Sequence, residues 1–248
     1  MEKTKIDWCD SSWNPVTGCK HGCEYCYARS IATRFGGNAL GINHVLNEPF
    51  KANGKVQPYP FGFVPTFHRY RLNDYVDKKG RNIFVCSMAD LFGEWVPPEW
   101  RHEVFEVCRK APQHNYIFLT KNPAMYVSMD KQGILPADSN MWFGTSVTKP
   151  GDPFPYNGKE KHNLFLSIEP LLADFGVGSD MALKDIEWVI IGAETGRRKD
   201  KVVPEKSWVD NIISQCKENN IPVFLKESLR ALYGDDLLRE FPPGLIHG

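Results

Sequence analysis

The sequence carries no excess of charge of either sign: 30 basic side chains stand against 30 acidic ones in 248 residues. A general polyanion binder is therefore excluded, because such affinity comes mostly from neutralising phosphates with Lys and Arg. A local basic patch stays open. No apolar run approaches the roughly 18 residues of a membrane helix, so no membrane partner is expected. The opening segment, Met1-Glu-Lys-Thr-Lys-Ile-Asp-Trp-Cys9, has charges where an export signal has its apolar core, which points to the cytoplasm. Repeats, low-complexity tracts and linker-like stretches are missing too. With 42% apolar and 12% aromatic residues, disorder is excluded. One domain over residues 1–248, acting as a monomer, is the expectation.

Cysteine is sparse and unevenly placed. Cys9, Cys86, Cys108 and Cys216 are scattered, whereas Cys19, Cys23 and Cys26 crowd into Cys19-Lys-His-Gly-Cys23-Glu-Tyr-Cys26. In a reducing compartment the crowded three suggest metal and the others packing. Three thiolates at C-x3-C-x2-C can occupy three corners of a cubane iron-sulfur cluster and leave the fourth iron open. A zinc knot with His21 as fourth ligand is the competing reading, but the chain has neither a second C-x2-C knuckle nor an H-x3-5-H pair. Gly18 and Gly22 let the loop fold tightly, and a following helix start favours anionic thiolates.

Short apolar runs ending on polar residues recur at 82–90, 115–121, 141–146, 163–169, 187–194 and 222–227, and read as buried parallel strands. A shorter strand is expected in Trp13–Thr17. Helical spacing follows Pro97-Pro98-Glu99 and Pro204-Glu205, placing Cys108 and Cys216 on core faces. A third helix leaves the cysteine cluster, with Ala28, Ile31, Ala32 and Phe35 on one face and Gly36-Gly37 as its stop. About seven strand-helix units result, which means an α/β fold with a parallel sheet, open or curled into a barrel. Polar residues gather at the carboxyl ends of the strands, where such folds place their sites. The segment 36–81 breaks the rhythm and reads as an excursion over one mouth of the sheet. Lys149–Tyr156 reads as a loop.

The cysteine spacing, with aromatic Tyr25 just before the third cysteine, resembles the radical S-adenosylmethionine (SAM) superfamily. That resemblance implies a partial or nearly complete parallel (β/α) barrel of six to seven strands. It also implies a [4Fe-4S] cluster on Cys19, Cys23 and Cys26 whose open iron chelates SAM, and a 5′-deoxyadenosyl radical that takes hydrogen from a substrate. An electron donor such as flavodoxin or ferredoxin is implied as well. The strings Trp13-Asn-Pro-Val-Thr-Gly-Cys19, Ser87-Met-Ala-Asp-Leu-Phe92, Leu119-Thr-Lys-Asn-Pro123, Leu166-Ser-Ile-Glu-Pro-Leu171 and Ile191-Gly-Ala-Glu-Thr-Gly196 further resemble a phage- and prophage-associated family within that superfamily. Many of its members have a longer gap between the first two cysteines.

Carried over residue by residue, the resemblance puts Ser87 and Asp90 near the methionine amine and Ser146 near the ribose. Ile168-Glu169 and Gly192-Ala193-Glu194 are placed along the adenine. Glu169 and Glu194 read equally as carboxylates tying the sheet rim. Lys121 and Lys226 end buried strands, so each is either half of an internal ion pair or a clamp for an anionic substrate group. With the three cysteines they are the catalytic candidates. Phe67-His-Arg-Tyr-Arg71 and Arg197-Arg-Lys199 with Lys201 are candidate phosphate contacts or solvated surface. Cys86 reads as packing, with a hydrogen-atom donor as the alternative. The expected reaction is isomerisation of a modified thymidine, such as an amino-acid-decorated base, in phage DNA. A base-repair lyase similar to photoproduct lyases and a non-enzymatic iron-sulfur or zinc nucleic-acid module are the alternatives.

Overall fold

The structure, a computed structural model, describes residues 4–37, 43–154, 158, 160–176, 183–196 and 198–245. Strand β1 (Ser11–Trp13) is followed by β2 (Val16–Thr17), the cysteine loop and α1 (Tyr27–Phe35). Four short strands come next: β3 (His44–Leu46), β4 (Lys51–Ala52), β5 (Lys55–Val56) and β6 (Thr66–His68). The regular part then runs β7 (Asn82–Val85), α2 (Pro98–Lys110), β8 (Asn115–Thr120), α3 (Pro123–Lys131), β9 (Met141–Val147), β10 (Asn163–Ile168), β11 (Trp188–Ile191), α4 (Lys206–Glu218), β12 (Val223–Leu225) and α5 (Arg230–Tyr233).

Seven strands form one sheet in the order β1-β7-β8-β9-β10-β11-β12, and every pairing in it is parallel. The apolar runs owe their length to burial on both faces. Ile83, Val85, Tyr116, Phe118, Leu164, Leu166, Val189 and Ile191 pack in the cluster shared with the helices. Alternate residues Phe84, Ile117, Trp142, Phe165, Trp188, Ile190 and Phe224 form a second, aromatic-rich cluster. The period-two alternation of a strand thus builds two cores from one continuous apolar string. The second core fills the concave side of the curled sheet. Gly144 makes room in it: a Cβ there would stand 2.2 Å from the Phe165 ring. Trp8, ahead of β1, fills the same core, its ring 4.7 Å from Phe84 and 6.2 Å from Trp188. The fold is a partial parallel barrel of the radical SAM type.

Several expectations are corrected. The first strand is Ser11–Trp13, because Val16–Thr17 turns away to pair with β6 in a separate sheet ordered β2-β6-β3. The connection after β9 is helix-free among the described residues, as expected, with a turn at Lys149–Asp152. The strand-helix alternation lapses after β10 too, where there is a single 3-10 turn, Leu183–Asp185, and no α-helix among the described residues. On α1 only Ala28 and Ala32 are buried, while Ile31 and Phe35 are 37% and 54% exposed. A nine-residue helix seated by two alanines leaves its larger residues outside. Cys108 and Cys216 are fully buried on α2 and α4. The described parts of 36–81 lie against the cysteine loop, where Cys19 N–H donates to Phe63 O and Gly18 packs on Val64. Among the described residues no helix is long and apolar enough to cross a membrane.

Candidate active site

The parallel strands all end at one mouth, and the loop from Gly18 to Cys26 crosses it. Gly18 N–H donates to Met88 O at 2.9 Å, tying the loop to the turn after β7. Gly18 and Gly22 have φ of +89° and +73°, which L side chains rarely adopt, and a Cβ on Gly18 would meet Val64 O at 2.4 Å. The loop therefore turns back on itself and delivers Cys26 as the N-cap of α1. The Cys26 thiol accepts from Arg29 N–H at 3.4 Å. Burial pushes the Cys19 thiol up to about 12, with the His21 N–H acting in the opposite direction. A metal that displaces its proton would reverse that preference.

Cys19, Cys23 and Cys26 line one cleft with Tyr25, Ser87, Asp90, Lys121, Ser146, Glu169, Glu194 and Lys226. Two predicted site residues lie outside that lining: Ile168, buried in the helix-side core, and Gly192. A Cβ on Gly192 would stand 2.9 Å from Lys226 Cδ and 3.2 Å from Glu169 Cγ, so it leaves the space in which these two side chains meet. Their ion pair spans the ends of β10 and β12, with each side chain about three-quarters or more buried. For Lys226 the internal-pair reading holds. Lys121 is different: no carboxylate lies within ion-pair distance among the described residues, and its Nζ stands 5.4 Å from the centre of the Tyr25 ring. Burial also pushes the Tyr25 hydroxyl above its ordinary range.

Other predicted residues have partners that define their work. Arg198 donates to both oxygens of Glu194 at 2.7 and 2.8 Å, and Val202 N–H adds a third bond. These bonds hold the Glu194 carboxyl below its usual value. Asp90 accepts from Thr120 Oγ1, Lys121 N–H, Phe92 N–H and His21 Nε2. Its carboxylate joins two strand ends to the cysteine loop. Ser87 Oγ donates to Asn14 Oδ1, and its carbonyl accepts from the Tyr27 hydroxyl at 2.8 Å. Ser146 Oγ reaches Glu169 O at 3.5 Å.

Sequence reasoning missed Asn14, Thr120 and Tyr27, and it gave His21 only the role of a zinc ligand. Ser167 was missed too: it is fully buried, lines the cleft and has an unpartnered hydroxyl. Its place one residue inside the end of an apolar run was the available signal. In the basic-aromatic string 67–71 most side chains are already engaged. Phe67 and His68 are fully buried, Arg69 holds Glu103 with two bonds, and Arg71 donates to the carbonyls of Asn14 and Pro58. In the second string, Arg198 belongs to Glu194, and Arg197 lies outside the described residues. Cys86 is buried in the helix-side core, away from the cleft lining, and burial raises its thiol to about 12. It packs.

Cys19, Cys23 and Cys26 stand on one rim of the cleft. Among the described residues no three His, Cys, Asp or Glu side chains are gathered closely enough to hold a single ion.

The chain belongs to the family described as "Protein of unknown function (DUF5131)", whose model matches residues 3–230. No curated protein matches it. Among solved structures it is similar to a cysteine-to-alanine mutant of spore photoproduct lyase with dinucleoside spore photoproduct, and to "Spore photoproduct lyase complexed with dinucleoside spore photoproduct". Each likeness has a TM-score of 0.53 at 10% identity and covers 90% of this chain and 78% of the other. At that identity the likeness speaks for the fold.

Proposed function

We propose that the protein is a radical SAM enzyme acting on a nucleobase in DNA. The observation that carries this reading is the set of three thiols, spaced C-x3-C-x2-C, lining the cleft at the carboxyl mouth of a parallel half-barrel. Cys19, Cys23 and Cys26 would hold a [4Fe-4S] cluster which, reduced by a one-electron carrier, supplies the electron that splits SAM to a 5′-deoxyadenosyl radical. The chain's own residues then bind, orient and shield. Tyr25 and Ser146 line the cleft where the cofactor would lie, and Lys121, with no carboxylate within ion-pair distance among the described residues, offers a cation to an anionic group beside them. The walls built by Trp8, Phe84 and Leu119 keep water away from the reacting carbon. Zero net charge limits the grip on DNA to a local patch, with modest and salt-sensitive affinity.

The finer reading is isomerisation of an amino-acid-decorated thymidine, whose carboxylate would meet Lys121. Base repair by a lyase is the second reading, favoured by the barrel's likeness to structures that hold a dinucleoside photoproduct. Anaerobic incubation with SAM, a reductant and phage or ultraviolet-damaged DNA tests both. DNA-dependent 5′-deoxyadenosine is expected, with deuterium passing between labelled base and cofactor. A nucleoside of unchanged mass marks isomerisation, and a split photoproduct marks the lyase. Formation of 5′-deoxyadenosine that no DNA stimulates contradicts the nucleobase reading.

A further inference from the structure

We infer that His21 and Asp90 form a clamp that sets the position of the cysteine loop, with His21 as a positioning residue for the cluster. The inference rests on the cluster reading above and adds residues that the ligand spacing does not assign. His21 stands two residues from both Cys19 and Cys23. Its Nε2 lies 2.6 Å from Asp90 Oδ2, and because a carboxylate accepts, the imidazole nitrogen carries the proton and donates. The ring meets the Trp95 ring edge-on, with centroids 4.8 Å apart at 79°. One hydrogen bond and one aromatic contact thus fix both the position and the plane of the imidazole.

Asp90 is a fixed anchor. Its side chain is only 7% exposed, and it also accepts from Thr120 Oγ1 at 2.8 and 2.9 Å, Lys121 N–H at 3.0 Å and Phe92 N–H at 3.0 Å. These donors come from the end of β8 and from the turn after β7, so the carboxylate is held by the barrel itself. Backbone bonds tie the start of the loop, at Gly18 and Cys19, to Met88 and Phe63. His21 ties down its middle. With Nε2 engaged by Asp90, the imidazole orients the segment that carries the thiols, and the zinc-ligand reading loses that nitrogen.

Hydrogen-bonded partners that orient metal ligands typically change metal affinity by about 10–100-fold when removed. The test compares H21F, which keeps a ring against Trp95 and loses the donor, with H21Q, whose amide can return an N–H to Asp90. Each is reconstituted anaerobically with iron and sulfide. The wild-type chain is expected to load a cluster. H21F should lose iron to a chelator at least about tenfold faster, with an altered electron paramagnetic resonance spectrum of the reduced cluster. H21Q should restore both. Wild-type loss rate and spectrum in H21F, or an H21Q chain that behaves like H21F, overturn the clamp while leaving the cluster reading intact. A wild-type chain that takes up no iron overturns both.

Discussion

On the β10–β12 side of the mouth each buried charge has its opposite: Lys226 holds Glu169, and Arg198 grips both oxygens of Glu194. On the β7–β9 side Lys121 has no carboxylate within ion-pair distance among the described residues, and it lines the same cleft as three half-buried thiols. Both sides end the same parallel sheet, so the contrast does not come from the fold. A finished ion pair forms a stiff wall, whereas a cation with no carboxylate in contact leaves capacity for a ligand. The proposed chemistry draws on the second side.

The two lysines give the widest separation. K121M is expected to lower 5′-deoxyadenosine turnover by about 10–100-fold, the loss of a hydrogen bond to a charged group, while urea unfolding of the cluster-free chain stays at the wild-type midpoint. K226M should instead strand Glu169 and cost about 2 kcal/mol in the same unfolding measurement. Equal behaviour of the two variants would erase the distinction. G192A comes next: its new Cβ would crowd the same pair and cost about 1 kcal/mol. Combined with K226M it should be less than additive in a double-mutant cycle, since both changes act on one contact. Full additivity would separate Gly192 from the pair.

The smallest effect concerns acid stability. Arg198 holds the Glu194 carboxyl below its ordinary value of 4.5, so the folded chain binds that proton less readily than the unfolded one. The stabilisation is complete above that ordinary value and is lost as pH falls through the lower folded value. E194Q should therefore lower stability most near neutrality and converge on the wild type as pH falls below 4.5, which leaves its acid limb flatter. An acid limb as steep as that of the wild type would count against this role.

Much of this architecture is legible in the sequence. The six apolar runs became β7 to β12, because strands buried on both faces write their length directly into the sequence. Helices α2 and α4 begin where their prolines announce them. The bend between Trp13 and Val16 was not legible, since Asn14-Pro15 divides what reads as one strand. Nor was the crossover after β10, where the described residues hold a single 3-10 turn and no α-helix. At the site, spacing exposed the cysteines and strand ends exposed the polar residues. Partnership was hidden: nothing local says that Glu169 meets Lys226, 57 positions away, or that His21 reaches Asp90, 69 positions away. Those pairings follow from strand order.

The central claim, that Cys19, Cys23 and Cys26 together hold one iron-sulfur cluster, is tested most directly by metal and sulfide content after anaerobic reconstitution. The account predicts about four irons and four sulfides per chain in the wild type, falling to traces when any one of the three cysteines becomes Ala. Tightly held zinc with no uptake of iron would contradict it.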